Sequence, residues 1–179
     1  NANNVLFSSF GSEITASDIV KTAIHRVAEE ISKCSLKSVV EKNDPRRVTV
    51  CDDSINAVFS GRVNKLCGLK DFLYKIVYLL LVNRNCFIYW AYDEVPIKGT
   101  DKVRRVTRGF YPIENANVRL YYLDGELRTE LSTTAGGGIV LDLPYSDLIH
   151  IRNGYGANAF LGGNASGRAD FREILDNLQ

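Results

Sequence analysis

Methionine is absent from this sequence, which begins at Asn1, and the two features together predict a piece of a longer translation product. Histidine is nearly as scarce. His25 falls within a helical pattern and His150 between Ile149 and Ile151, and neither has a Cys, Asp or Ser at a spacing that points to catalysis. Both are expected to be structural. Cys34, Cys51, Cys67 and Cys86 stand singly, with no C-x-x-C pair and no nearby His, which argues against a zinc site or a secreted disulfide framework. Reduced intracellular thiols are the expected state. The formal charge is only +1, so nothing global attracts nucleic acid, acidic substrates or a membrane surface. Any such partner needs a local patch. A long apolar run is missing too: Ile76 to Val82 falls far short of the roughly 20 residues that a membrane helix requires.

What the sequence does hold is concentrated in Leu69 to Tyr92, LKDFLYKIVYLLLVNRNCFIYWAY. Phe72, Leu73, Ile76, Val77, Leu80 and Leu81 recur at one, three and four residues, which predicts a helix with one buried stripe. Asn83, Arg84 and Asn85 then supply turn chemistry, and Cys86 to Tyr92 reads as a strand. Upstream, residues 1–14 mix Asn, Ser and Gly with isolated apolar residues and are expected to form an arm without a core of its own. Thr15 and Asp18 open a first helix running from about Ala16 to Lys33, whose stripe of Val20, Ile24, Val27 and Ile31 is expected to share the core of the central helix. Ser35 to Lys42 reads as a strand against which Val48 to Cys51 pairs back, and Asp52 and Asp53 cap a short helix.

Downstream the pattern turns to short extended pieces. Tyr111 to Ile113, Val118 to Leu123, Leu127 to Leu131, Ile139 to Leu143 and Leu148 to Arg152 form a predicted β meander, with Asp124-Gly125 as a hairpin turn. A last helix is expected over Ala169 to Leu178, truncated by the end of the chain. The fold class is therefore α+β: N-terminal helices on a mixed or antiparallel sheet, then the meander, with residues 15–179 as one domain.

Lys98, Lys102, Arg104, Arg105 and Arg108, against a lone Asp101, make the densest basic cluster and the one candidate contact for phosphate or a protein partner. A solvated sheet edge explains the same residues. The Gly-rich stretch Gly154 to Gly167 invites a phosphate-loop reading, but G-x-x-x-x-G-K-[ST] is absent, and a connector into the last helix, capped by Asn164 or Ser166, fits better. The pairs Glu29-Glu30 and Asp52-Asp53 suit a solvated helix face and a helix start. No catalytic, metal or cofactor site is expected. The alternatives are a small anion-binding enzyme using the Gly154 to Gly167 loop and a generic α+β interaction module.

Five pieces in order carry a resemblance: AIHRVAEEISKCSLKSV, DFLYKIVYLLLVNRNCFIYW, FYPIENANVRLYY, YSDLIHIR and the Gly-rich entry to the last helix. The chain resembles the portal proteins of HK97-type tailed phages. Two positions depart from that pattern: Arg84-Asn85 stands where Gly-Asn is common, and GNASGRADF lacks the frequent Ser-Pro. The resemblance implies the N-terminal, wing-like part of a portal subunit. It further implies a dodecameric ring at the head vertex that passes DNA, docks the terminase and later joins head to tail. Capsid and connector proteins are then further partners, with no membrane, no enzyme activity and no cofactor. The expected location is the virion, with assembly in the host cytoplasm.

Overall fold

A computed structural model describes residues 6–9, 18–41, 48–51, 53–114, 117–132, 138–154 and 160–162. The elements in chain order are β1 (Leu6–Ser9), α1 (Asp18–Ser32), β2 (Val39–Glu41), β3 (Val48–Val50), α2 (Ser54–Ser60) and α3 (Leu69–Asn83). They continue with β4 (Asn85–Pro96), β5 (Val103–Ile113), β6 (Asn117–Leu123), β7 (Glu126–Ser132), β8 (Val140–Pro144), a 3-10 turn (Tyr145–Asp147) and β9 (Leu148–Arg152). The α+β expectation holds, and every strand pairing is antiparallel.

Local chemistry accounts for the boundaries. Asp53 caps α2 by accepting from Asn56 N–H at 2.8 Å, and this bond holds its carboxyl below the usual carboxylate range. Asn56 in turn accepts from Ser38 N–H at 2.7 Å and donates to Cys51 C=O at 2.5 Å, which fastens the β2–β3 hairpin to the helix. At the end of α3, Arg84 takes φ 58°, the left-handed conformation that normally calls for Gly. Its N–H still reaches Leu80 C=O at 3.0 Å, and β4 starts at the next residue. Asp124 and Gly125, at φ 51° and 82°, build the two-residue turn that their sequence predicts.

β4 is the wall between two cores. Cys86 and Ile88 face α3, where Phe72, Leu73, Ile76 and Phe110 are buried with them. Phe87 faces the other way, into a cluster with Val118, Leu120, Leu131 and Leu148. Alternation along one strand thus serves both layers, and Asn85 to Ile88 are buried throughout.

Four expectations need correction. The stripe on α1 is only half right: Ile24 is buried, but Val27 and Ile31 are 44% and 42% exposed. The buried residues are Ile24, Ala28 and Ser32, a row four residues apart that drifts around the helix, so contact with α3 slants away from Val27 and Ile31. The meander is β6–β7–β8 only, because β9 leaves it to pair with β4 in the sheet β5–β4–β9. At the end of the α3 stripe the buried apolar residues are Leu79 and Val82, whereas the expected Leu80 and Leu81 are half-buried. Within residues 1–14, Leu6–Ser9 form β1, which pairs with β6. The predicted helix at Ala169 to Leu178 lies outside the described residues.

Candidate partner interface on the β4–β5 ribbon

β4 pairs with β5 from Phe87↔Ile113 out to Pro96↔Val103, whereas β9 accompanies β4 only from Asn85 to Tyr89. Beyond Tyr89 the two strands continue as a bare ribbon. Its base is held firmly. The register shifts at Ala91/Tyr92, and there Gly109 lies so near the loop before α3 that a Cβ would stand 2.8 Å from Val63 C=O. Phe110 N–H donates to that carbonyl at 3.0 Å, Asn64 Nδ2 donates to Phe110 C=O at 2.7 Å, and Thr107 N–H donates to Ser54 Oγ at 3.0 Å.

The five cations of the sequence cluster all lie on this ribbon, but in two roles. Arg105 lies over the Tyr92 ring, 4.3 Å from its centroid, and pairs with Glu94 at 3.5 Å across the strands. Arg108 binds Asp93 with Nη2 at 2.5 Å and Nε at 2.6 Å. These two are compensated. Lys98 sits in the turn, where Ile97 N–H donates to Lys102 C=O at 2.9 Å and Gly99 takes φ 82°. Among the described residues, Lys98, Lys102 and Arg104 have no ion-pair partner, and exposed Val95, Ile97 and Val103 lie beside them. The ribbon tip is therefore cationic and apolar at once.

Sequence reasoning missed the aromatic rung beneath Arg105. The Trp90 and Tyr92 rings meet tilted at 53° with centroids 4.8 Å apart, Trp90 Nε1 donates to Thr107 at 3.1 Å, and Tyr92 OH donates to Asp147 at 3.0 Å. Burial and this carboxylate raise the Tyr92 pKa. Two aromatics at period two on one strand were the available signal.

The other candidates resolve into structural roles. His150 Nε2 donates to Asn85 Oδ1 at 2.9 Å and its Nδ1 accepts from Tyr145 OH at 2.9 Å, with the ring stacked 4.1 Å from Phe87. Burial, with Arg152 nearby, pushes its pKa down to about 4, so the ring is neutral. Asn85 Oδ1 also accepts from Gly162 N–H at 2.9 Å. Gly162 is wedged: a Cβ would stand 2.5 Å from Arg84 C=O. This end of the Gly-rich stretch spends its amide on Asn85, and the rest of Gly154 to Gly167 apart from Gly154, Phe160 and Leu161 lies outside the described residues. His25 stacks on Tyr74 and Tyr78 and bonds the Tyr74 hydroxyl, beside an open cleft that Glu29, Lys70 and Asp71 also line. Burial pushes the Cys86 thiol up to about 12, far from a nucleophile's range. Among the described residues no group of His, Cys, Asp and Glu is placed to hold a metal ion.

Comparison with protein families decides what kind of molecule carries this ribbon: the family described as phage portal protein matches residues 18–169. The chain belongs to that family. Portal proteins are structural components of the phage head that assemble with other portal subunits, and the matched span takes in α1 through β9, ribbon included. No curated protein matches the chain. Among the described residues of this portal chain, no helix is long and apolar enough to cross a membrane.

Proposed function

We propose that the chain is the wing-like α+β part of an HK97-type portal subunit, one member of a dodecameric ring at the head vertex. The ring conducts DNA during packaging and ejection, receives the terminase and then the head–tail connector proteins, and does no covalent chemistry. Assembly takes place in the host cytoplasm and the product stays in the virion. The match to the portal family over residues 18–169 is the observation that carries this reading. One motif of the HK97-type resemblance, YSDLIHIR, supports it because its side chains have structural tasks. In YSDLIHIR, Tyr145 bonds His150, Asp147 accepts from Tyr92, Leu148 is buried and His150 reaches Asn85. The stretch thus joins two strands, β4 and β9, through the 3-10 turn, which is a task of shape and not of chemistry.

Within this reading the ribbon tip touches a neighbouring protein. Lys98, Lys102 and Arg104 offer charge, Val95, Ile97 and Val103 offer exposed apolar surface, and a surface meant for DNA phosphate alone has no use for the second set. The test is Lys98→Glu/Lys102→Glu/Arg104→Glu in the intact subunit, with ring assembly and terminase binding read separately. Loss of one of these contacts supports the assignment, and unchanged assembly and binding overturn it.

A further inference from the structure

Two hairpins overrun the layers that support them, and each ends in a tip that is charged and apolar at once. The first is the β4–β5 ribbon, which from Tyr89 to Pro96 reaches about 23 Å past the last residue that β9 accompanies. Its tip carries Lys98, Lys102 and Arg104 against Asp101 alone, with Val95, Ile97 and Val103 exposed beside them.

The second is the β6–β7 hairpin. Asp124 and Gly125 make its turn, and Leu123 stands across from Glu126 on the last rung. Tyr122 shares the side of β6 on which Val118 and Leu120 are buried, yet it is 59% exposed because the core stops short of it. Leu123 is half exposed as well. Asp124, Glu126 and Asp142 gather at this end around one cation, Arg128, which pairs with Glu126 at 3.3 Å and with Asp142 at 3.1 Å. Asp124 has no ion-pair partner among the described residues. This tip is anionic and apolar.

Within one chain the two tips leave each other unsatisfied: among the described residues no ion pair joins Lys98, Lys102 or Arg104 to Asp124 or Glu126. Portal subunits assemble with one another, and identical chains that assemble head to tail join two different patches that fit each other. These two patches match in sign, and each brings the exposed apolar side chains that the centre of an interface requires.

We infer that the β4–β5 ribbon tip of one subunit docks on the β6–β7 hairpin turn of the next copy in the ring, with Lys98, Lys102 and Arg104 against Asp124 and Glu126 and with Val95, Ile97 and Val103 against Tyr122 and Leu123. The inference rests on the reading given above, in which the chain is a ring subunit and the ribbon tip a protein contact. Its test uses the intact subunit that contains this chain, with assembly read by native mass spectrometry over a concentration series. One variant reverses the ribbon tip, Lys98→Glu/Lys102→Glu/Arg104→Glu. The other reverses the hairpin, Asp124→Asn/Glu126→Lys, with Asn chosen because it tolerates the left-handed position at φ 51°. All five altered side chains are exposed, and an unshifted melting curve reports that each variant is folded. Either variant alone sets like charges against each other, so the subunit concentration at half-assembly should rise at least about tenfold. An equal mixture of the two restores opposite charges at every junction of an alternating ring, and assembly should return to within about threefold of the unaltered subunit. Unchanged assembly of either variant alone overturns the inference. Loss in both without rescue on mixing overturns it too, because the ribbon tip would then meet some other surface. An unaltered subunit that never assembles overturns the portal-ring reading itself, and the inference falls with it.

Discussion

Asn85 and His150 meet through a 2.9 Å hydrogen bond that joins the buried start of β4 to β9, the strand that deserts the meander. The same Asn85 oxygen holds Gly162, so one fully buried amide ties together the α3–β4 turn, the third strand of the sheet and the middle of the Gly-rich stretch. Replacing it with Ala leaves the buried Gly162 N–H and the half-buried His150 Nε2–H without their acceptor. Each orphaned donor costs about 1 to 3 kcal/mol, so Asn85→Ala should lose at least about 2 kcal/mol in urea denaturation. A loss comparable to an exposed substitution would remove this residue from the centre of the fold.

The same contact sets a pH dependence. His150 is neutral when folded, with its pKa lowered to about 4, and the unfolded chain takes up that proton near 6.5. Between those values the unfolded state binds more protons, so stability rises with pH through the window. The expected curve is flat above about pH 7 with respect to this group and declines as pH falls from about 6.5 towards 4. His150→Phe should flatten the decline. An unchanged slope in that variant would assign it to other groups.

Helix α3 and helix α1 should respond differently to truncation. Ile76→Ala or Phe72→Ala removes a side chain buried between α3 and β4 and should cost about 2 to 5 kcal/mol. Val27→Ala, on the exposed row of α1, should cost under about 1 kcal/mol, and a loss of about 2 kcal/mol or more would place Val27 in a core.

These contrasts mark what was legible in the sequence. The α3 stripe as far as Val77, the break at Arg84 and the Asp124-Gly125 turn are local, and periodicity or turn chemistry identifies each of them; beyond Val77 the buried apolar residues are Leu79 and Val82, not the expected Leu80 and Leu81. The fate of Val27 depends on the angle at which α1 crosses α3, and the choice of β4 as the partner of β9 is a long-range pairing; neither leaves a mark within a short window of residues. The basic cluster was visible as composition. Its division into paired Arg105 and Arg108 and unpaired Lys98, Lys102 and Arg104 required knowing that Glu94 and Asp93 lie across the ribbon. The resemblance to portal proteins came from the order of motifs, and the structure supplies the reason that YSDLIHIR is written as it is.

Double-stranded DNA should bind this chain weakly and without sequence preference, with Kd of about 10⁻⁴ to 10⁻⁶ M at physiological salt. With three uncompensated cations at the ribbon tip, the logarithm of the binding constant should fall with the logarithm of salt at a slope of about −3 or shallower. Sub-micromolar binding with a steep slope would relocate the channel-facing surface to this piece.

The most direct test of the account is native mass spectrometry of the intact subunit that contains this chain, beside residues 1–179 alone. A closed dodecamer is predicted for the intact subunit, and monomers or small oligomers for residues 1–179, which under the proposed reading carry only part of the ring interface. An intact subunit that stays monomeric at all concentrations would contradict the portal-ring reading, and a stable dodecamer from residues 1–179 alone would show that the wing by itself carries the ring.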